Sequence, residues 1–69
     1  MVYSEFYNEN SGKIVRVKMT DGEVFVGELY GYISGEDNEP DPESIIVKNS
    51  HGVLTELFSD EIADINLGH

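Results

Sequence analysis

The chain has 69 residues and no cysteine, so it fits one small domain without disulfides or thiolate metal sites. Its net charge of −10 results from 14 acidic residues and four lysines and arginines. This excess of negative charge disfavours generic binding to phosphate backbones and to anionic membranes. No apolar run approaches the roughly 20 residues that span a bilayer, and no signal peptide is visible, so we expect a cytoplasmic chain with no membrane partner.

The first 12 residues are expected to form a short helix that covers the core as a lid. Ser4 is the predicted N-cap, and Glu5 is favourable in the positively polarised first turn. Tyr3, Phe6 and Tyr7 are spaced so that they share one helix face. An aromatic cluster of this kind is more typical of core packing than of a base-stacking platform.

Residues 14–19 and 24–33 alternate between apolar and polar positions and predict two strands. An Asp-Gly pair separates them, which is a strong hairpin signal because the turn needs a residue that accepts positive φ. A glycine inside a strand marks a sharp bend or a close backbone approach, so two glycines in the second strand predict that it curls. The residues that determine this fold are therefore Asp21, Gly22, Gly27 and Gly31.

Residues 34–43 form an acidic loop that contains both prolines of the chain. Its alternating carboxylates raise the question of calcium binding. An EF-hand loop that began at Asp37 would place Pro42 at its glycine position and Lys48 at its final glutamate, so the pattern does not fit. A solvated surface loop is the expected structure. The carboxylates are Glu36, Asp37, Glu39, Asp41 and Glu43.

Three further strands are expected, at residues 44–49, 53–58 and 62–66. A turn that contains His51 separates the first two, and residues 59–61 make a tight connection to the last. Five strands with short connections predict an all-β fold, a small and strongly bent antiparallel barrel. Because its core is marginal in size, we expect self-association to supply additional stability.

Catalytic and cofactor chemistry is not expected. The chain has no cysteine nucleophile, and neither His51 nor His69 lies in a motif with serine and aspartate. Two histidines are too few for a convincing metal cage, and no glycine loop precedes a helix to cradle phosphates. We therefore expect a binding or assembly protein without a cofactor, and not an enzyme.

Residues 15–33 resemble the first motif of the Sm and Sm-like family, which includes bacterial Hfq. The motif ends in an aspartate where this chain has Ile33, so the resemblance is to a divergent member, and it covers a little over a quarter of the chain. The matching residues are Val15, Val17, Met19, Asp21, Gly22, Phe25, Gly27, Leu29, Gly31 and Tyr32.

The resemblance implies a bent five-stranded barrel that assembles into a ring, a cyclic homo-oligomer of undetermined size. In such rings the fourth strand of one subunit pairs with the last strand of the next, which covers exposed strand edges. The same pairing would bury the outer apolar side chains of these two strands. The predicted interface residues are Val53, Leu54, Leu57, Phe58, Ile62, Ile65 and Leu67.

Members of the family bind RNA in pockets around the ring pore, and here the resemblance weakens. Pro42, Glu43 and Ser44 stand where the family has an aromatic or histidine stacker and an asparagine, while Phe58 and Ser59 replace an Arg-Gly pair. The uridine pocket is therefore degenerate. The remaining candidates for contact with RNA are Lys13, Arg16, Lys18 and Phe58.

Three functions stay open at this point. The first is an Sm-like ring that binds single-stranded RNA on a basic surface. The second is an acidic ring-shaped adaptor that binds a basic protein and no nucleic acid. The third is a monomeric small barrel that binds peptides in the manner of Src-homology domains, which would require several exposed aromatic residues on one surface.

Overall fold

Five antiparallel strands form one sheet, and a short helix precedes them. The computed structural model describes residues 2–68, so Met1 and His69, which the predicted domain includes, lie outside the described part. The mostly β architecture with an N-terminal helix confirms the predicted class of fold. In chain order the elements are α1 (Tyr3–Asn10), β1 (Ile14–Met19), β2 (Val24–Ile33), β3 (Ser44–Lys48), β4 (Leu54–Phe58), a 3-10 turn (Ser59–Glu61) and β5 (Ile62–Leu67).

The strands lie in the order β4-β3-β2-β1-β5, so β4 and β5 are the two edges of the sheet. Within residues 2–68 these edge strands pair with one neighbour each and not with one another, which leaves the sheet open between them. The Cα radius of gyration is 11.0 Å. A compact domain of this length has about that value, so the chain is compact although the sheet is open.

The hairpin between β1 and β2 is closed at the predicted position. The Met19 amide donates to the Glu23 carbonyl over 2.8 Å, and the Gly22 amide donates to the Met19 carbonyl over 3.0 Å. Gly22 has φ of +93°, and the Asp21 carboxylate accepts from the Glu23 amide at 2.9 Å. The positive φ therefore falls on the glycine, while the aspartate stabilises the turn through its side chain.

Strand β2 changes partner along its length, because residues 24–28 pair with β1 and residues 28–33 pair with β3. A register shift on the β3 side falls between Leu29 and Gly31 and makes Tyr30 a bulge residue. A Cβ added to Gly27 would collide with the Lys48 carbonyl oxygen and lie 2.9 Å from a Val47 methyl. The backbone of β3 thus approaches β2 closely at Gly27, which is one of the two situations that a glycine inside a strand indicates.

Four predicted element boundaries are wrong by one or two residues, including the end of β5, which lies at Leu67 and not at residue 66. Within the described chain no side chain caps the start of α1, because Val2 occupies the N-cap position and Ser4 lies inside the first turn. The turn after β3 includes Asn49 and Val53, which the sequence pattern places in strands. The Asn49 side-chain oxygen accepts from the Val53 amide at 2.9 Å, so the side chain closes the turn in place of the sheet.

The alternation of apolar and polar residues along β1 places its apolar side chains in the core. Val15 and Val17 are fully buried and Arg16 and Lys18 are exposed. The aromatic residues of α1 pack against this core from one side, as the predicted lid requires. Among residues 2–68 no helix has the length and hydropathy that crossing a bilayer requires. The core residues are Val15, Val17, Met19, Leu29, Ile45, Val47, Leu57, Ile62 and Ile65.

Three members of the predicted subunit interface belong to this core. Leu57, Ile62 and Ile65 are buried within the chain itself, so their side chains do not form a surface for a second copy. The interface inferred from the family resemblance included residues from both faces of β4 and β5, whereas one face of each strand packs into the core of the same chain. The predicted interface residues that do reach the surface are Val53, Leu54, Leu67 and the half-buried Phe58.

Candidate functional site

Two cations of β1 project from the side of the sheet that faces away from the core. Arg16 lies opposite Val26 of β2, and Lys18 lies opposite Val24. Val26 keeps 51% of its surface exposed, and Val24 is similarly accessible. The two cations therefore stand beside accessible apolar side chains, a combination that suits a ligand with both charge and apolar area.

Lys48 and Tyr30 extend this surface across β2 to β3. Lys48 lies opposite Glu28 in the sheet register, and its ammonium nitrogen is 5.6 Å from the centroid of the Tyr30 ring. Tyr30 is 49% exposed, so part of the residue remains accessible although the lysine contacts its ring. We call the surface formed by Arg16, Lys18, Val24, Val26, Glu28, Tyr30 and Lys48 the outer face.

Sequence reasoning missed Tyr30 and Lys48 as parts of one surface. Lys48 stands 30 positions from Lys18, and only the pairing of β2 with β3 brings it to the outer face. A signal for Tyr30 was present, because Tyr30 follows Val24 and Val26 at every second position of β2. Its contact with Lys48, however, depends on the pairing of β2 with β3, which alternation does not reveal.

A groove of about 460 Å³ opens on the outer face. Ile14 and Val26 supply its apolar wall, while Glu28 and Lys48 supply a carboxylate and an ammonium group. Asn49 and Ser50, in the turn after β3, add an amide and a hydroxyl group. Its volume lies within the range of small-ligand pockets, about 300–1,000 Å³.

The structure does not bring all four predicted RNA contacts together. Arg16 and Lys18 are neighbours on the outer face, and Lys13 is exposed in the turn that precedes β1. Phe58 ends edge strand β4 opposite Ser44, and two strands separate it from β1 in the sheet. Phe58 is therefore remote from the β1 cations in the order of the sheet.

A second groove, of about 230 Å³, has the opposite charge. It lies between the β1–β2 turn and β4, and Phe25, Met19 and Leu57 contribute apolar surface to it. Phosphates are disfavoured here, because the lining carries four carboxylates and no cation. The acidic residues of this groove are Asp21, Glu23, Glu56 and Glu61.

The acidic loop is held against the sheet by side-chain hydrogen bonds. Ser44, only 1% exposed, donates from its hydroxyl to a Glu56 carboxylate oxygen at 2.6 Å. The Asn38 amide donates to the same oxygen at 3.3 Å and to the Pro42 carbonyl at 2.8 Å. The loop therefore presents its accessible carboxylates from a fixed position. These are Glu36, Asp37, Glu39 and Asp41.

The end of the acidic loop also contacts the aromatic residues near α1. Tyr32 donates from its hydroxyl to a Glu43 carboxylate oxygen at 2.7 Å, and its ring stacks on Tyr7 with centroids 6.3 Å apart. The hydrogen bond to Glu43, together with burial, raises the pKa of Tyr32. Burial, followed by the negative charge of Glu43, raises the pKa of Tyr3.

These raised pKa values predict a loss of stability at alkaline pH. A folded-state pKa above the unfolded value of 10.0 means that the protonated phenol stabilises the fold, and this contribution disappears as pH rises past 10. Absorbance titration of tyrosinate should show a component that ionises later than free tyrosine. Tyr32→Phe should remove part of that component, whereas an unchanged titration would contradict the assigned hydrogen bond.

Within residues 2–68 no group of three or more histidine, cysteine, aspartate or glutamate side chains is placed to hold a metal ion. Comparison with known proteins adds no assignment, since no family model, no curated protein and no solved structure matches this chain.

Proposed function

We propose that the chain is an Sm-like, ring-forming scaffold that contacts single-stranded RNA through its outer face. The observation that carries this proposal is that Arg16, Lys18 and Lys48 share one side of the sheet, with the Lys48 ammonium group 5.6 Å from the centroid of the exposed Tyr30 ring. Cations that neutralise phosphates and an aromatic ring that stacks on a base are the two elements of single-strand recognition. The remainder of the surface is strongly acidic, so this face is where an RNA strand meets the least repulsion.

Ring assembly is supported by the two free edges of the sheet. Strands β4 and β5 each pair on one side only, and the described chain does not use one to cover the other. Leu54 on β4 is 50% exposed, with Val53 beside it, and Leu67 on β5 is also exposed. Pairing of β4 with β5 of the next copy would cover these side chains and complete the bent sheet as an Sm-type barrel.

The expected RNA affinity is weak and depends on salt. Three phosphate contacts predict that the logarithm of the binding constant falls with a slope of about −2 against the logarithm of salt concentration. The acidic groove and the acidic loop add repulsion that lowers the affinity further at low ionic strength. Titration of labelled oligonucleotides at two salt concentrations measures both effects.

Charge reversal at Arg16 tests the location of the RNA contact. We expect Arg16→Glu to weaken binding about tenfold and to reduce the salt slope by about 0.7, because one phosphate contact is lost and a repulsive carboxylate is added. The matched control is the double variant Asn8→Asp/Ser11→Asp, which changes the net charge equally at two exposed residues outside the outer face. Equal loss of affinity in both variants would assign the effect to overall charge and contradict the proposed surface.

An acidic protein adaptor is the second candidate function. The observation that favours it is the groove between the β1–β2 turn and β4, where four carboxylates surround apolar side chains. Such a groove suits a lysine or arginine side chain of a basic partner. A lysine-rich peptide that binds the chain more tightly than any RNA, with loss of affinity in Glu61→Gln, would favour the adaptor function over the RNA scaffold.

A further inference from the structure

We propose that the groove on the outer face is a nucleotide subsite that prefers bases with an exocyclic amino group over uracil. This inference rests on the proposed contact with RNA and adds a sequence preference to it. It differs from the uridine pocket that the family resemblance implies, because it uses neither of the loops that carry that pocket. The occupant is one nucleotide of a single-stranded RNA.

The size and walls of the groove suit a base. Its volume of about 460 Å³ is enough for one nucleotide. Ile14 and Val26 are both about half exposed and border the groove, so they provide apolar contact for the face of a planar ring. Without an occupant, these two side chains remain exposed on the surface of a small protein.

Glu28 gives the groove its base preference. An ionised carboxylate only accepts hydrogen bonds, and adenine, cytosine and guanine each present an amino group that donates. Uracil has no amino group, and its single ring N–H lies between two carbonyl oxygens that the carboxylate repels. Glu28 is partly buried at the groove and central in the sheet, which restricts its side chain to this environment.

Lys48 and Tyr30 would position the RNA strand next to the groove. The lysine lines the groove and also contacts the Tyr30 ring, so its ammonium group lies between the subsite and the aromatic platform. A phosphate that joins two nucleotides would meet this ammonium group when one base enters the groove and the next stacks on Tyr30. Arg16 is opposite Val26 in the sheet, at the end of the groove away from Tyr30, so it is placed for the phosphate on the other side of the base in the groove.

Fluorescence anisotropy with labelled decamers of adenosine, cytidine and uridine tests the preference. We expect the wild-type chain to bind the adenosine and cytidine decamers at least five times more tightly than the uridine decamer. Glu28→Leu should reduce this ratio to about one, and Glu28→Gln should keep part of it because the amide oxygen still accepts. Glu9→Leu, an exposed change of equal charge on α1, should leave the ratio unchanged.

The possible outcomes separate the subsite from the proposed function. Tight binding of all three decamers without discrimination would overturn the subsite and leave RNA contact in place. Binding of no decamer would overturn both. Competition with free adenosine monophosphate shows whether the groove binds a free nucleotide or a nucleotide of an RNA strand. We expect the monophosphate to displace the decamer only at concentrations at least 100-fold above that of the decamer. Displacement at equal concentrations would overturn the assignment to an RNA strand. Circular dichroism of each variant checks that it is folded.

Discussion

Gly27→Val is expected to prevent the chain from folding. A Cβ at this position would collide with the Lys48 carbonyl oxygen and approach the Lys48 carbonyl carbon and a Val47 methyl to 2.9 Å each. Two of these three atoms are backbone, so a rotamer change cannot relieve the overlap, and β3 must move away from β2. Overpacking of this kind costs about 1–3 kcal/mol or more, a large part of the stability of a domain this small.

Circular dichroism and thermal unfolding measure this effect. Gly27→Ala should already lower the midpoint of unfolding, because the clash begins at the Cβ atom. Gly31→Ala is the matched control. The three atoms nearest to a Cβ at Gly31 all belong to the partly buried Ile46 side chain and none to the backbone, and the nearest is its terminal methyl at 3.3 Å. A soluble Gly27→Val variant with native-like unfolding would contradict the close approach of β3 to β2.

The hairpin could be predicted from the sequence because its cause is local. The Asp21-Gly22 pair determines the turn by its own conformational preference, and alternation determines which residues of β1 are buried. The close approach at Gly27 could be predicted because a glycine weakens a strand unless the backbone bends or meets another backbone there. The turn and the alternation depend on neighbours within about ten residues, a range that sequence patterns describe well.

The outer face could be predicted only in part because it depends on the pairing of β2 with β3. Ten loop residues separate these strands, and nothing local determines their register. A shift of one residue would move Lys48 to the other side of the sheet. The bulge at Tyr30 also depends on this pairing, since it accompanies a shift in the register of β2 and β3 that exists only in the folded sheet.

Local sequence patterns also could not predict which residues of β4 and β5 face the core. Leu57 and Leu54 are equally apolar, yet Leu57 is buried and Leu54 is half exposed. A strand that is apolar on both faces gives no indication of which face meets the core. Only the packing of the folded chain decides this, since Leu57 joins the core and Leu54 does not.

Lysine substitution at the exposed edge residues is expected to dissociate a cyclic oligomer. We expect the wild-type chain to sediment as one closed oligomer at micromolar concentration, and Leu54→Lys and Leu67→Lys to shift it towards the monomer. Both residues lie on edge strands, where an added ammonium group would be buried against the next copy. Each substitution reduces the net negative charge, so greater repulsion between copies cannot explain a loss of assembly.

Val26→Lys is the matched control for these variants. It makes a similar chemical change at a side chain of nearly equal exposure, but on central strand β2 instead of an edge. A contact between two different edges forms a ring only if the rotation from one copy to the next closes the circle. We therefore expect an oligomer with one defined number of copies and not a range of sizes. A folded wild-type monomer at micromolar concentration would contradict the ring. Dissociation by Val26→Lys but not by Leu54→Lys would instead assign self-association to the outer face, which would then be unavailable to RNA in the assembled state.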